Sequence, residues 1–97
     1  MPTYISLVRW TDQGIRNVKE APQRLDAFKK AAEAAGGKVS KYYLTMGKYD
    51  GVLIVECPSD EAAVALVLSG GSQGNVRTET MRAFPEDQFR NIITKVQ

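Results

Sequence analysis

Lys38-Val39-Ser40-Lys41-Tyr42-Tyr43-Leu44-Thr45-Met46, then Gly47-Lys48-Tyr49-Asp50-Gly51, then Val52-Leu53-Ile54-Val55-Glu56-Cys57 is the stretch that decides how this chain folds. The two outer runs are rich in β-branched and aromatic residues, and the glycines between them relieve the backbone where it reverses. The reading is a β-hairpin at the centre of the chain, and hence a sheet protein.

Upstream, Tyr4-Ile5-Ser6-Leu7-Val8 reads as a strand. Thr11 or Asp12 can cap a short helical segment that ends near Glu20, and Pro22 fits the first turn of a longer helix. Ala21, Leu25, Phe28, Ala32 and Ala35 form the apolar stripe of that helix, and Gly36-Gly37 ends it. Downstream, Ser59 caps a helix with Asp60 and Glu61 in its first turn, where unpaired amides favour negative charge. Its expected buried stripe is Ala63, Val64, Val67 and Leu68. Asn75 to Met81 is a fourth strand, and Pro85-Glu86-Asp87 opens a last helix carrying Phe89, Ile92, Ile93 and Val96.

Strand, helix, strand, strand, helix, strand and an extra C-terminal helix give an α+β, ferredoxin-like split βαβ sandwich in the spatial order 4-1-3-2. Residues 1–97 form one domain, because 97 residues leave no material for a second core. Leu53, Val55 and Cys57 point to one face of the sheet; Val52, Ile54 and Glu56 point to the other. Neither set is freely polar, so the face away from the helices is expected to be covered by a second copy, giving a homodimer or a higher oligomer.

Composition restricts the functional classes. Thirteen basic against eleven acidic residues leave a net charge of +2, and no basic run exceeds Lys29-Lys30, so nucleic acid is not an expected partner. The lone Cys57 suggests a buried thiol in a reducing compartment, and with neither an apolar spanning run nor a leader-like start the expected location is the cytoplasm, with no membrane partner. With no histidine and one cysteine, the usual zinc sites, histidine-based triads and histidine-ligated haem cannot be built from one chain; no metal or cofactor is expected. Gly70-Gly71-Ser72-Gln73-Gly74 lacks the ordered glycine, lysine and hydroxyl of a phosphate loop.

The candidate pocket or interface residues are Arg9, Tyr43, Glu56, Arg77 and Glu79, which the topology assigns to the non-helical face. Two readings of this cluster stay open: ion pairs that close an interface, or a pocket in which Arg9 or Arg77 reads an anionic group of a small metabolite. In the hairpin, Asp50 is expected to fix the turn through nearby amides, and Tyr49 to cover a core edge or a neighbouring subunit.

The run Tyr4 to Ile15, the hairpin Gly47-Lys48-Tyr49-Asp50-Gly51 and the tract Gly74-Asn75-Val76-Arg77-Thr78-Glu79-Thr80-Met81-Arg82-Ala83-Phe84 together resemble the GYD-domain family, with Lys48 interrupting the namesake triplet. The resemblance covers essentially the whole chain. It implies a small bacterial or archaeal protein of the ferredoxin-like, dimeric α+β barrel superfamily. That superfamily holds cofactor-free oxygenases, haem enzymes and proteins with no known chemistry, so it leaves enzyme status open. Two classes follow: a small-molecule-binding or assembly domain, or a cofactor-independent enzyme of monooxygenase or isomerase style with a cavity on the non-helical face.

Overall fold

The computed structural model describes residues 1–97. β1 (Thr3–Trp10) is followed by α1 (Asp12–Arg16), a single 3-10 turn (Val18–Glu20) and α2 (Ala21–Ala34). Then come β2 (Lys38–Leu44), β3 (Gly51–Glu56), α3 (Asp60–Gly71), β4 (Val76–Ala83) and α4 (Glu86–Ile93). Both sequence-read caps form: the Thr11 side chain accepts from the Gly14 amide and that of Ser59 from the Ala62 amide. Pro22 sits in the first turn of α2.

The sheet has the order β2-β3-β1-β4, every neighbouring pair antiparallel, as the connection rules require. The barrel implied by the family resemblance is not found: the sheet is open, with β2 and β4 as unpaired edges. The physical reason is strand number, because closing a sheet around a filled interior takes about eight strands and this chain supplies half of that.

Helices α2 and α3 cover one face. Tyr4, Val8, Leu53, Val55 and Cys57 point into it and meet Ala32, Ala63 and Leu66, forming the buried core with Leu25, Phe28, Val39 and Tyr42 packed around it. Tyr42 also corrects the reading of the hairpin glycines. Gly47 has φ of +101° and turns the chain, whereas Gly51 does not take a left-handed conformation. A Cβ on Gly51 would lie 3.0 Å from the Tyr42 ring, so this glycine makes room for an aromatic side chain.

The stripe on α3 is a second correction. Ala63 and Leu66 are buried, while Val64 and Leu68 are 56% and 65% exposed. Residues 62–68 are apolar throughout, so helical periodicity carries no phase there, and the direction of the sheet selects the buried side. The last helix has no buried residue, and its hydrogen bonds stay within the segment from Pro85 to Val96.

Candidate functional site

Strand alternation and register define the open face. Ile5 and Leu7 on β1, Val52 and Ile54 on β3, Tyr43 on β2 and Met81 on β4 project away from the helices. The four aliphatic residues of the central strands are only half-buried, with α2 and α3 both on the opposite side. A continuous apolar centre therefore faces outward, flanked by charge on the two edge strands.

All five candidate residues lie on this face, but the register separates them. Arg9 stands directly opposite Arg77, and Glu79 lies two residues along β4, opposite Leu7. Tyr43 is in the same cross-strand row as Glu79, at the far edge of the sheet, with Val52 and Leu7 between them. Glu56 pairs with Thr3, six residues along β1 from Arg9, which is roughly 20 Å at strand spacing. One cluster thus contains Arg9, Arg77 and Glu79, and Glu56 belongs to another.

The Arg9–Arg77 pair is electrostatically incomplete. The chain's three ion pairs are Lys38–Glu56, Arg82–Asp60 and Arg90–Glu86, so neither arginine has a carboxylate at bonding distance. Like charges directly across a strand pair repel, and a carboxylate brought from outside the chain would relieve that repulsion. Glu79 accepts a hydrogen bond of 3.1 Å from the Tyr49 hydroxyl, which carries the Tyr49 side chain from the hairpin across β1. Asp50 departs from the expectation that it bonds the amides of its own turn: its carboxylate accepts from the Trp10 amide at 2.8 Å and its own amide donates to the Val8 carbonyl at 2.8 Å, so it ties the hairpin to β1.

Glu56 has its own setting. A bulge between Val39 and Lys41 turns Ser40 toward it, and the Ser40 hydroxyl donates to the carboxylate at 2.8 Å, with Lys38 3.6 Å away. The Ser40 hydrogen bond and then the lysine hold the Glu56 carboxyl below the usual glutamate range.

A further cluster, on the helical side, was invisible in the sequence. Buried Tyr4 donates its hydroxyl to Asp60 at 2.5 Å, and Arg82 lies 3.6 Å from the same carboxylate oxygen while stacking near the rings of Tyr4 and Phe84. Burial, then the hydrogen bond to Asp60, pushes the Tyr4 hydroxyl up to about 12. These residues line one end of a cleft of about 310 Å³ between α3 and β4, whose other walls include Val64, Val67 and Leu68. Tyr4 and Asp60 are 56 positions apart, and only strand register brings them together.

No three Cys, Asp or Glu side chains converge as a set of metal ligands, and no helix is long and apolar enough to cross a membrane. The open face presents an apolar centre with an arginine couple, neither member of which has a carboxylate partner, at one end.

Comparison with known proteins agrees in scale and fold. Residues 4–93 match the GYD domain. A glutamine synthetase and cystathionine beta-lyase binding protein of Thermus thermophilus is 33% identical over 86 residues, covering 88% of this chain and 90% of the relative. A crystal structure of a Thermus thermophilus protein superposes with a TM-score of 0.55 at 29% identity, covering 87% of this chain and 94% of the other. A feast or famine regulatory protein of M. tuberculosis complexed with L-methionine superposes with a TM-score of 0.66 over 87% of this chain and 50% of its own. At 21% identity that likeness establishes a shared fold alone.

Proposed function

We propose, for a chain that belongs to the GYD-domain family, a non-catalytic assembly role: two copies meet through their open sheet faces, and the resulting pair binds a protein partner. The observation that carries this reading is the uncovered row Ile5, Leu7, Val52 and Ile54, half-buried on a face that no helix shields. Removing such a row from water is favourable by about 25 cal/mol for each Å² covered, and a second identical face is the nearest surface of matching shape. The Thermus relative supports a partner-binding role, since it is named for binding two enzymes and is similar over nearly its full length.

On this reading the domain works in the cytoplasm, where the buried thiol of Cys57 stays reduced. The Arg9–Arg77 couple is its charged contact, taking a carboxylate from the bound partner or from a small acidic metabolite. The smaller cleft, beneath the sheet and lined by Tyr4, Phe28 and Leu66 among others, does not serve this role, since it has room for about 10 Å³, less than an organic ligand needs.

Native mass spectrometry of the wild-type chain and of Ile54→Lys tests the proposal. Self-association is expected for the wild type, with loss of the sheet-face contact in the variant while its circular dichroism stays unchanged, because Ile54 does not touch the helix-covered core. A wild-type chain that remains monomeric at tens of micromolar would overturn it. A stoichiometric organic ligand released on denaturation would move the reading from protein partner to metabolite.

A further inference from the structure

The sheet face does not account for all the apolar surface this chain leaves open. The accessible surface is 6748 Å², whereas a compact monomer of this 10.7 kDa mass exposes about 5,500 Å². The excess, about 1,200 Å², is larger than the roughly 800 Å² that each partner contributes to a standard interface. The radius of gyration is likewise 14.5 Å, against about 12.5 Å for a compact domain of 97 residues. Surface for a second contact is therefore present.

The C-terminal arm contributes to it. α4 extends from the body of the molecule; Phe89, Ile92 and Ile93, spaced i, i+3 and i+4, and Val96 just beyond the helix end are each between 40% and 67% exposed. An eight-residue helix is far below the length at which a helix persists unaided in water, so this one needs a surface to pack on. Pro85, with φ of −56° and ψ of 162°, holds the chain extended at the root of the arm and directs it away from its own body.

The matching surface is on α3. Val64, Val67 and Leu68 repeat at i, i+3 and i+4 on its outer side and wall the cleft beside β4. Two helical stripes of this kind pack by interdigitating their ridges. Charge favours an antiparallel arrangement, because Glu61 in the first turn of α3 and Lys95 near the end of the arm have no ion pair within their own chain.

We propose that α4 of one copy packs antiparallel on the Val64–Val67–Leu68 face of α3 in a second copy. The contact is distinct from the sheet-face pairing. Because α3 lies on the side of the sheet opposite the sheet-face contact, the arm joins a different pair of chains, and the assembly is larger than a dimer.

Disulfide trapping between full-length single-substitution chains tests this. Cys57 is fully buried and leaves the introduced thiols as the reactive ones. Mixing Val64→Cys with Ile93→Cys is expected to give a bond between position 64 of one chain and position 93 of another, identified by peptide mass spectrometry. Native mass spectrometry should show a wild-type assembly larger than a dimer that Ile93→Asp reduces to a dimer. The bond should survive Ile54→Lys, so the arm contact and the sheet-face contact fail separately. The proposal is overturned if position 93 bonds to position 64 only within one chain of a Val64→Cys/Ile93→Cys double variant. It is equally overturned if position 93 bonds to Ile54→Cys in preference to Val64→Cys, or if no bond forms.

Discussion

The two faces of this sheet are made by the same strands from nearly the same amino acids, yet only one of them is a core. Leu53 and Val55 are 7% and 5% exposed beneath the helices, while their neighbours Val52 and Ile54 are half-buried on the far side. The difference lies in what covers each face. A chain of 97 residues has two helices long enough to shield a four-stranded sheet, and right-handed crossovers place both on one side. Apolar residues on the other side are then available for contacts between molecules.

The comparison breaks most sharply at adjacent residues of β3. Leu53→Ala is expected to destabilise the fold by about 3 kcal/mol, the range for emptying a buried leucine site. If the proposed sheet-face pairing covers it, Ile54→Ala should instead cost stability by an amount that grows with the logarithm of protein concentration. Urea denaturation at several concentrations checks both, and a concentration-independent loss of similar size at Ile54 would show that the two faces are equivalent.

A smaller effect is expected at the edge of the covered face. Tyr4→Phe removes the hydroxyl that donates to Asp60 and should destabilise the fold by less than Leu53→Ala does. In the wild type the folded chain holds the Tyr4 proton up to about 12, whereas an unfolded tyrosine releases it near 10. The associated stability is fully present below pH 10 and is lost as pH rises through 12. Ultraviolet titration of tyrosinate absorbance should show a late-titrating group that is missing from Tyr4→Phe.

The smallest effect belongs to the open face. Arg77→Glu puts a carboxylate opposite Arg9 and is expected to stabilise the isolated fold by about 0.5 kcal/mol, in contrast to the usual sign of a charge reversal. If the same change also weakens partner binding, the arginine couple faces a carboxylate of the partner. Thermal denaturation paired with a binding titration measures the two effects.

Much of the architecture was legible because local chemistry announces it. The caps at Thr11 and Ser59, the turn at Gly47 and the restart at Pro22 each depend on a few neighbouring residues. The candidate site was legible only as far as strand alternation reaches. Alternation put Arg9, Tyr43, Glu56, Arg77 and Glu79 on one side of the sheet, but not side by side. The distance between Glu56 and Arg77 follows from register, which pairs Glu56 with Thr3 and Arg77 with Arg9.

Strand and helix order, the hairpin, and the division of β3 into two apolar sets were written in the sequence itself, because periodicity and turn chemistry act within a few residues. The open sheet edges, the outward face of α3, the Tyr4–Asp60–Arg82 cluster and the unsupported arm were decided by tertiary structure. Each depends on which elements lie against one another across tens of residues, and a uniformly apolar helix such as α3 carries no local signal that says which side will meet the sheet.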